Sequence, residues 1–380
     1  QGNLEAVELL LNSGASINKT NNNGTSPLKI AVQQNHEPVV EALLARGPDL
    51  EARSMDGTSA LLMAARKGES HTGVLKRLIQ ANANVTIQDE EGDDALYFAA
   101  YDGDSNLAAV TALLKAGADA NARRDAEDDS TLLHLAVRDV QPGLVRVLLE
   151  HKADPSCTNA TGCTPLRLAA ALRPTDAADQ TMQRAVRQQA FEIANILIAA
   201  SSVATLDASD QNGVNALHVA CEGEVPDLAK RLINAGADVK SCGPGALQLV
   251  ARRGDLQLLE LMLSRGADPR RPKSWPLHAA VLSTAVDAPR VVQALITAKA
   301  DPNERQPRVA PAGAKQQPTT DGGQTPLHVA AAKGDLELAR LLIQHGAEVD
   351  AVDYFGSRAL TLAIVTPALG DAACASLPLM

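Results

Sequence analysis

A short pattern of apolar and polar positions recurs ten times along this chain. Each copy has Leu in third place and a small apolar residue in sixth place, which is Ala in nine copies. The first place holds Ser, Thr, Asp, Asn or Gly in eight copies, and Pro often follows, as is typical of a helix start. Since positions three apart lie on one helix face, the pattern predicts ten short helices that each pack closely on one side. The copies begin at Ser26, Ser59, Asp94, Thr131, Thr164, Asn215, Gly245, Trp275, Thr325 and Arg358.

A second helical pattern follows each copy, as in residues 336–342. Most of these second helices are expected to end at a glycine, because a helix often closes on a residue in the left-handed conformation. The next residues are polar and rich in Asn, Asp and Gly, as in residues 21–24, and they predict a hairpin-like turn. Each unit is therefore turn, helix, helix. The predicted stop residues are Gly14, Gly47, Gly117, Gly236, Gly266 and Gly346.

The units follow one another at intervals of 30 to 51 residues. A period in this range marks an array of stacked repeats rather than a set of globular domains. Such an array is stabilised by contacts between neighbouring repeats, because no repeat can bury its apolar face alone. The functional question therefore concerns a long surface more than a pocket.

The copy at residues 325–331, Thr-Pro-Leu-His-Val-Ala-Ala, is followed by Gly334 and by Gly346-Ala347. These residues resemble the ankyrin repeat, and the resemblance extends over nearly all of residues 2–365. It implies an all-α repeat solenoid of about ten repeats plus a partial N-terminal one, with helix-turn-helix units joined by hairpin-like turns. It also implies a concave face, lined by the turns and first helices, that binds other proteins.

We expect the repeat array to occupy residues 1–365 and residues 366–380 to form a C-terminal tail or a truncated repeat. An insertion at 173–187 separates the two helices of one repeat, and its composition predicts a lengthened second helix. A second insertion at 304–320, rich in Pro, Ala and Gln, predicts a flexible loop within a turn. That loop either contacts a partner or is a tolerated insertion, since loops lengthen at small cost. Because the chain opens on a second-helix pattern and finishes within a repeat, we expect a fragment of a longer protein.

Charge is concentrated in one part of the array. The formal net charge is −10, and residues 86–130 contain twelve acidic residues against three basic ones. This stretch is either a solvated edge that aids solubility or a surface for a partner with a basic surface or segment. Trp275, at a helix-cap position, is likewise either packed on a neighbouring turn or an exposed anchor for a partner. The candidate partner-binding residues are Asp89, Glu90, Glu91, Asp93, Tyr101, Asp102, Arg138 and Trp275.

The sequence argues against catalysis, cofactors and metals. Four His residues share the fourth motif position, and a periodic His is expected to bond the backbone of a neighbouring turn. Cys157 and Cys163 lack a second pair at zinc spacing, and the five Cys are expected to be reduced thiols. With no basic stripe and no apolar run of membrane-spanning length, we expect neither nucleic-acid binding nor membrane insertion. The His residues are His134, His218, His278 and His328.

The leading hypothesis is a non-enzymatic, monomeric protein-protein interaction scaffold that binds partners on its concave face. The array is expected to be cytoplasmic or nuclear. The alternative is the recognition or targeting arm of a larger multidomain protein, such as an enzyme, a channel or a ubiquitin-ligase adaptor. A third reading is a bacterial or parasite effector that acts on host proteins.

Overall fold

The computed structural model describes residues 3–123, 128–172, 180–223, 225–243, 245–271, 274–306 and 323–365. The chain divides into two compact units, residues 1–212 and 213–380. Within the described ranges, all regular secondary structure is helical apart from isolated bridges that close turns, such as the one joining Gln88 and Asp94. The prediction of an all-α array of ankyrin-type units is therefore confirmed. The predicted 304–320 loop from residue 307 onward, and the predicted tail at 366–380, lie outside the described residues.

The first unit is a row of helix pairs. First helices pack on the first helices of neighbouring repeats, and second helices pack on second helices. Two short 3-10 segments, Glu69–His71 and Gly103–Asn106, lead into second helices. The helices are α1 Leu4–Asn12, α2 Pro27–Gln33, α3 Glu37–Leu44, α4 Ala60–Arg66, α5 Thr72–Gln80, α6 Ala95–Tyr101, α7 Leu107–Lys115, α8 Leu132–Arg138, α9 Pro142–Glu150, α10 Pro165–Ala171, α11 Gln180–Ala200 and α12 Val203–Leu206.

Helix α11 is 21 residues long, whereas the other second helices of this unit have eight or nine. Residues 180–187, the second half of the insertion expected from the sequence, lie in this helix. Residues 173–179 lie outside the described part of the chain.

The second unit repeats the arrangement of the first. Helices α13, α15, α17, α19 and α21 pack in succession as first helices, and α14, α16, α18 and α20 do so as second helices. Their bounds are α13 Ala216–Glu222, α14 Pro226–Asn234, α15 Ala246–Arg253, α16 Leu256–Ser264, α17 Pro276–Leu282, α18 Ala288–Thr297, α19 Pro326–Lys333, α20 Leu336–Gln344 and α21 Ala359–Val365.

The core consists of the residues that the repeated motif predicts. Nine of the ten motif Leu residues are buried, and so are the small residues three positions later, including Val250. Aliphatic side chains of this size allow the close helix packing that protein interiors require. Leu360 and Ala363 of the last copy are exposed; they lie in α21, beyond which the structure describes no residues.

The ends of the helices follow the predicted capping chemistry. Ser26, Ser59, Asp94, Thr164 and Asn215 each accept a hydrogen bond from the backbone N–H three residues on. All six predicted stop glycines have positive φ, between 65° and 102°. In three repeats that lack that glycine, a side-chain-bearing residue adopts the same conformation. These residues are Asn82, Lys152 and Lys299.

In several repeats the fourth motif residue joins its own repeat to the next one. Lys29 is buried, and its Nζ donates to the carbonyl oxygen of Thr58 at 3.0 Å and pairs with Asp56 at 2.8 Å. Arg167 forms the equivalent ion pair with buried Asp210. Since these contacts run from a first helix to the following turn, they fix the turns in register with the helices.

His fills the same role in other copies. Nδ1 of His134 accepts the backbone N–H of Thr131 at 3.3 Å, so Nε2 carries the proton and donates to the carbonyl oxygen of Cys163 at 3.0 Å. His278 and His328 likewise place Nε2 2.8 Å and 3.1 Å from carbonyl oxygens of the next turn. The predicted structural role is thereby confirmed for these three. His218 lies against Gly243, where an added Cβ would come within 2.6 Å of Nδ1.

None of the helices in the described ranges has both the length and the apolar character needed to cross a membrane.

Candidate functional site

Tyr101 is the most prominent candidate for a partner contact in the first unit. It is the last residue of α6, and its side chain is 84% exposed. Arg138, the last residue of α8, lies beside it across a small pocket of about 60 Å³. Ala100 and Leu135 also line that pocket. An exposed aromatic ring next to an apolar depression is typical of interface anchors.

An aromatic cluster lies along α6 ahead of Tyr101. The rings of Tyr97 and Phe98 meet edge to face with centroids 6.1 Å apart. The Arg66 guanidinium of the preceding repeat lies 5.8 Å from the Phe98 centroid, within reach of a cation–π interaction. The Arg66 contact joins α6 to α4 one turn before Tyr101.

The charges around Tyr101 are mixed. Asp102 is exposed, and its Oδ2 lies so close to Gly68 that a Cβ there would come within 2.0 Å of it. Arg138 Nε lies 3.1 Å from Asp139 Oδ1, and both side chains are more than half exposed. The Tyr101 surface, defined as Tyr101, Asp102, Arg138 and Asp139, therefore carries two carboxylates and one guanidinium.

The acidic turn, residues 89–93, contains the other candidates. Glu90 and Glu91 are exposed at its tip. Asp89 accepts the backbone N–H groups of Glu91 at 3.0 Å and Asp93 at 2.9 Å. Asp93, by contrast, is only 3% exposed, which leaves little of its side chain available to a partner.

The acidic turn also contains a possible arrangement of ligand atoms. Oxygens of Asp89, Glu91 and Asp93 lie within 4.8 Å of one another, and no other such group of His, Cys or acidic residues occurs in the described part of the chain. Asp89 is already engaged with two amide N–H groups. Turn acids gather in this way without a cation, and we assign no metal to them.

Much of the acidic excess serves the fold itself. Asp94 Oδ1 caps α6 by accepting Tyr97 N–H at 2.8 Å. Asp104 reaches the following repeat, where Oδ1 accepts Leu144 N–H at 2.7 Å and Oδ2 accepts Gly143 N–H at 3.1 Å. Burial raises the pKa of Asp94, while its backbone hydrogen bonds act in the opposite direction. The charge count from the sequence therefore overstated the number of carboxylates available to a partner.

The structure places the two groups of candidates at opposite ends of α6. The acidic turn precedes the helix, and Tyr101 ends it. Seven residues at 1.5 Å each separate the two ends by about 10 Å. The predicted site is thus two contact points along one helix.

Trp275 belongs to the second unit and is half-buried at the start of α17. Its backbone N–H lies 3.4 Å from Gln248 Oε1 of the preceding first helix. The two readings of this residue both remain open as hypotheses.

The backbone beside Arg138 contains a feature that the sequence did not predict. Val140 has a φ of 55°, in the left-handed region where a β-branched residue is a true outlier. In the corresponding place of another repeat stands Gly334, with a φ of 72°. Strained residues often occur at binding sites. Aligning the repeats at this place would have shown that Val140 stands where another repeat has glycine.

Sequence comparison relates the chain to known proteins. A profile described as "Ankyrin repeat" matches residues 212–244 and 322–354. A profile for many copies of the repeat matches residues 1–44, and one for three copies matches 46–124 and 96–180. Together these matches cover more than half of the chain.

Individual relatives are much longer than the matched region. The "Neurogenic locus notch homolog protein 2" of Homo sapiens is 35% identical over 207 residues, which is 53% of this chain and 8% of that protein. The protein of the same name from Mus musculus matches equally. The human "Transient receptor potential cation channel subfamily A member 1" is 26% identical over 144 residues, 36% of this chain and 12% of that protein. The chain thus spans about a tenth of the length of these relatives.

Proposed function

The chain belongs to the ankyrin repeat family, and from that premise we propose that it binds a protein partner along the face of α6 and α8. The fold is a non-enzymatic interaction fold, in which shape and surface chemistry provide recognition. The contact points in this proposal are the Tyr101 surface and the exposed tip of the acidic turn, Glu90 and Glu91.

The exposure of Tyr101 is the observation that carries the proposal. A Tyr that leaves 84% of its side chain in water gains apolar contact area when a partner covers it, at the cost of fixing only two side-chain torsions. The adjacent depression of about 60 Å³ has room for the tip of one aliphatic side chain.

The charge distribution favours a partner with basic residues. Glu90, Glu91 and Asp102 are exposed carboxylates, and opposite charge across an interface gives specificity and a faster association rate. The two contact points lie beyond opposite ends of α6, a helix about 10 Å long. The proposed partner segment therefore carries an apolar side chain for the Tyr101 pocket and a Lys or Arg for the acidic turn at the other end of the helix.

A peptide-display selection tests this proposal directly. A library of random peptides is selected on the full chain and then counter-selected on Tyr101→Ala and on Glu90→Lys/Glu91→Lys. The matched controls are Phe355→Ala, another exposed aromatic residue, and Glu348→Lys/Asp350→Lys, another pair of exposed acids.

Peptides that bind the native chain and both controls, but lose at least tenfold affinity for the two test variants, support the proposal. They should combine an apolar residue with Lys or Arg and bind more weakly at high salt. Selected peptides that are neutral or acidic, or that bind all variants equally, would contradict it.

A second candidate role is recognition on behalf of a larger protein, such as an enzyme, a channel or a ubiquitin-ligase adaptor. It is favoured by the relatives, each of which contains the matched segment as 8% or 12% of its length. Sequencing the complete reading frame tests this role, and a frame holding only ankyrin repeats would contradict it.

A further inference from the structure

A long groove runs along the second helices of the second unit. Its volume is about 1190 Å³, and its lining comes from α16, α18 and α20. This α18 groove extends along α18 from Pro289 to Ala298, a length of about 14 Å at 1.5 Å per residue. It is larger than the roughly 300–1,000 Å³ typical of small-molecule sites, which favours a segment of another protein as its ligand.

The floor of the groove is low because α18 has a small side chain where its neighbours have large ones. The buried residues of α16 and α18 follow the same spacing, which places Ala294 where α16 has Leu261. The same comparison with α20, whose buried residues are Leu338 and Leu342, matches Ala294 with Leu341. The surface of α18 therefore lies below those of its two neighbours at this position.

Leucine side chains line both walls of the groove. Leu256 and Leu263 belong to α16, and Leu336 and Leu341 belong to α20. Leu336 is 72% exposed. One exposed leucine is ordinary on a protein surface, but four along one depression indicate a site for apolar side chains of a ligand. Covering them releases water from apolar surface, which favours binding.

Opposite charges face each other across the groove. Glu260 on α16 and Arg340 on α20 are exposed and occupy equivalent positions of their helices. Because α18 lies between these helices, two interaxial spacings, about 16–20 Å in total, separate them. Each charge is thus out of reach of the other and can pair with a ligand lying between them. The two other charged residues of the lining, Arg290 and Glu337, are opposite in sign and lie on adjacent helices, so they offset one another.

We infer that the α18 groove is a docking site for an amphipathic helix of a partner protein. The apolar face of that helix lies on Ala294 and Leu341, one flank carries a basic residue towards Glu260, and the other flank carries an acidic residue towards Arg340. A helix is about 10–12 Å wide with its side chains, which fits between walls whose axes are about 16–20 Å apart. Docking of an apolar helix face into a groove is a common mode of recognition.

An extended segment fits this groove less well than a helix does. The groove is built from helices, whose backbone groups are already used in their own hydrogen bonds. An extended ligand would therefore find no backbone partners for its N–H and C=O groups as it is desolvated, whereas a helix satisfies its own.

A display library of helix-forming peptides of about 12 residues, or three turns, tests the inference. Leu is fixed along one face, and Lys, Glu or Gln is randomised on both flanks. The library is selected on the full chain. We expect the enriched peptides to carry Lys on one flank and Glu on the other. Enrichment of the same charge on both flanks would overturn the inference.

Ala294→Leu fills the floor of the groove with a side chain that Leu341 shows to be tolerated at the equivalent position. It should weaken binding of the selected peptides at least tenfold, because the apolar face loses its place. Ala112→Leu is the matched control, since Ala112 occupies the equivalent position of α7 in the first unit, and it should leave binding unchanged. Peptides that bind Ala294→Leu as tightly as the native chain would show that they do not use the groove.

Arg340→Glu provides a second test that depends on an exposed side chain and not on the core. It makes both walls acidic, so a peptide with Lys on both flanks should bind the variant more tightly than the native chain, and a Lys/Glu peptide should bind it about tenfold more weakly. An unchanged preference would contradict the inference. Sedimentation that shows the native chain as a dimer, dissociated by Ala294→Leu, would assign the groove to a second copy and would also overturn it.

Discussion

The imidazole Nε2 of His328 lies 3.1 Å from the carbonyl oxygen of Ser357, and its Nδ1 lies 3.2 Å from the backbone nitrogen of Thr325. One neutral side chain thus caps its own helix and binds the turn of the next repeat. The same position carries Lys29 and Arg167, which reach equivalent turns by ion pairs. A contact of this kind couples neighbouring repeats, and coupling between neighbours is the main source of stability in repeat arrays.

Acidification should weaken this coupling through His278. Burial lowers the pKa of His278 to about 4, from an ordinary value of 6.5. As the pH falls from 6.5 towards 4, the unfolded chain binds a proton that the folded chain does not, so the stability present above pH 6.5 is progressively lost. The full loss is on the order of 3 kcal/mol at 1.4 kcal/mol per pKa unit.

Urea denaturation of the native chain and of His278→Gln at pH 7 and at pH 4.5 measures this effect. Gln donates a hydrogen bond but does not titrate, and Gln248 already occupies this position in another repeat. The native chain should lose more stability than the variant between the two pH values. Equal losses would show that His278 does not titrate in this way.

Truncation of a motif Leu should be strongly destabilising. Leu166 is 0% exposed, and Leu166→Ala should cost about 2–5 kcal/mol as a core truncation. Leu336→Ala is the control, since that side chain is 72% exposed, and its cost should stay below about 0.5 kcal/mol. Denaturant titration of both variants decides whether the motif register is correct; a loss below about 0.5 kcal/mol at Leu166 would contradict it.

Removal of the side chain at Val140 should stabilise the protein. Glycine adopts the left-handed conformation without strain, so Val140→Gly should raise the free energy of unfolding by about 1 kcal/mol. Val140→Ala loses the same contacts of the two γ-methyl groups but keeps a Cβ. Its gain in the free energy of unfolding should therefore be clearly smaller than that of the glycine variant. Thermal melts of the two variants give the comparison, and a destabilised glycine variant would mean that packing of Val140 outweighs its strain.

Asp104 should act as a cap that one repeat supplies to the next. Asp104→Ala removes the acceptor for Gly143 and Leu144 N–H, and the expected cost is about 1–2 kcal/mol. Asp102→Ala, two residues earlier and exposed, controls for the loss of charge and should change stability little. The pair should be compared by urea denaturation at one salt concentration. Equal effects would indicate that charge, and not capping, is responsible.

The sequence predicted the parts of the fold that depend on local chemistry. Caps such as Ser26 and stops such as Gly346 depend on one residue's hydrogen bonding or backbone freedom, so they can be read position by position. The burial of Leu166 followed because the motif places it on the packed face in every copy.

Features that depend on contacts between repeats were harder to predict. The burial of Asp93 and the capping by Asp104 require knowledge of where a neighbouring segment lies, which no local pattern contains. For the candidate site, the sequence offered Tyr101 and the acidic turn as candidates, but their placement at opposite ends of α6 required the structure.

The fourth-position contacts also depend on the order in which the repeats follow one another along the chain. Arg167 is matched to the buried carboxylate of Asp210, whereas His134 is matched to a backbone carbonyl. Exchanging the first helices of these two repeats would set an imidazole against Asp210 and a guanidinium against the Cys163 carbonyl. Although the repeats are built on one plan, the Lys29 and Arg167 junctions each need a carboxylate in the next turn, so shuffled arrays of the same units should assemble less well than the native succession.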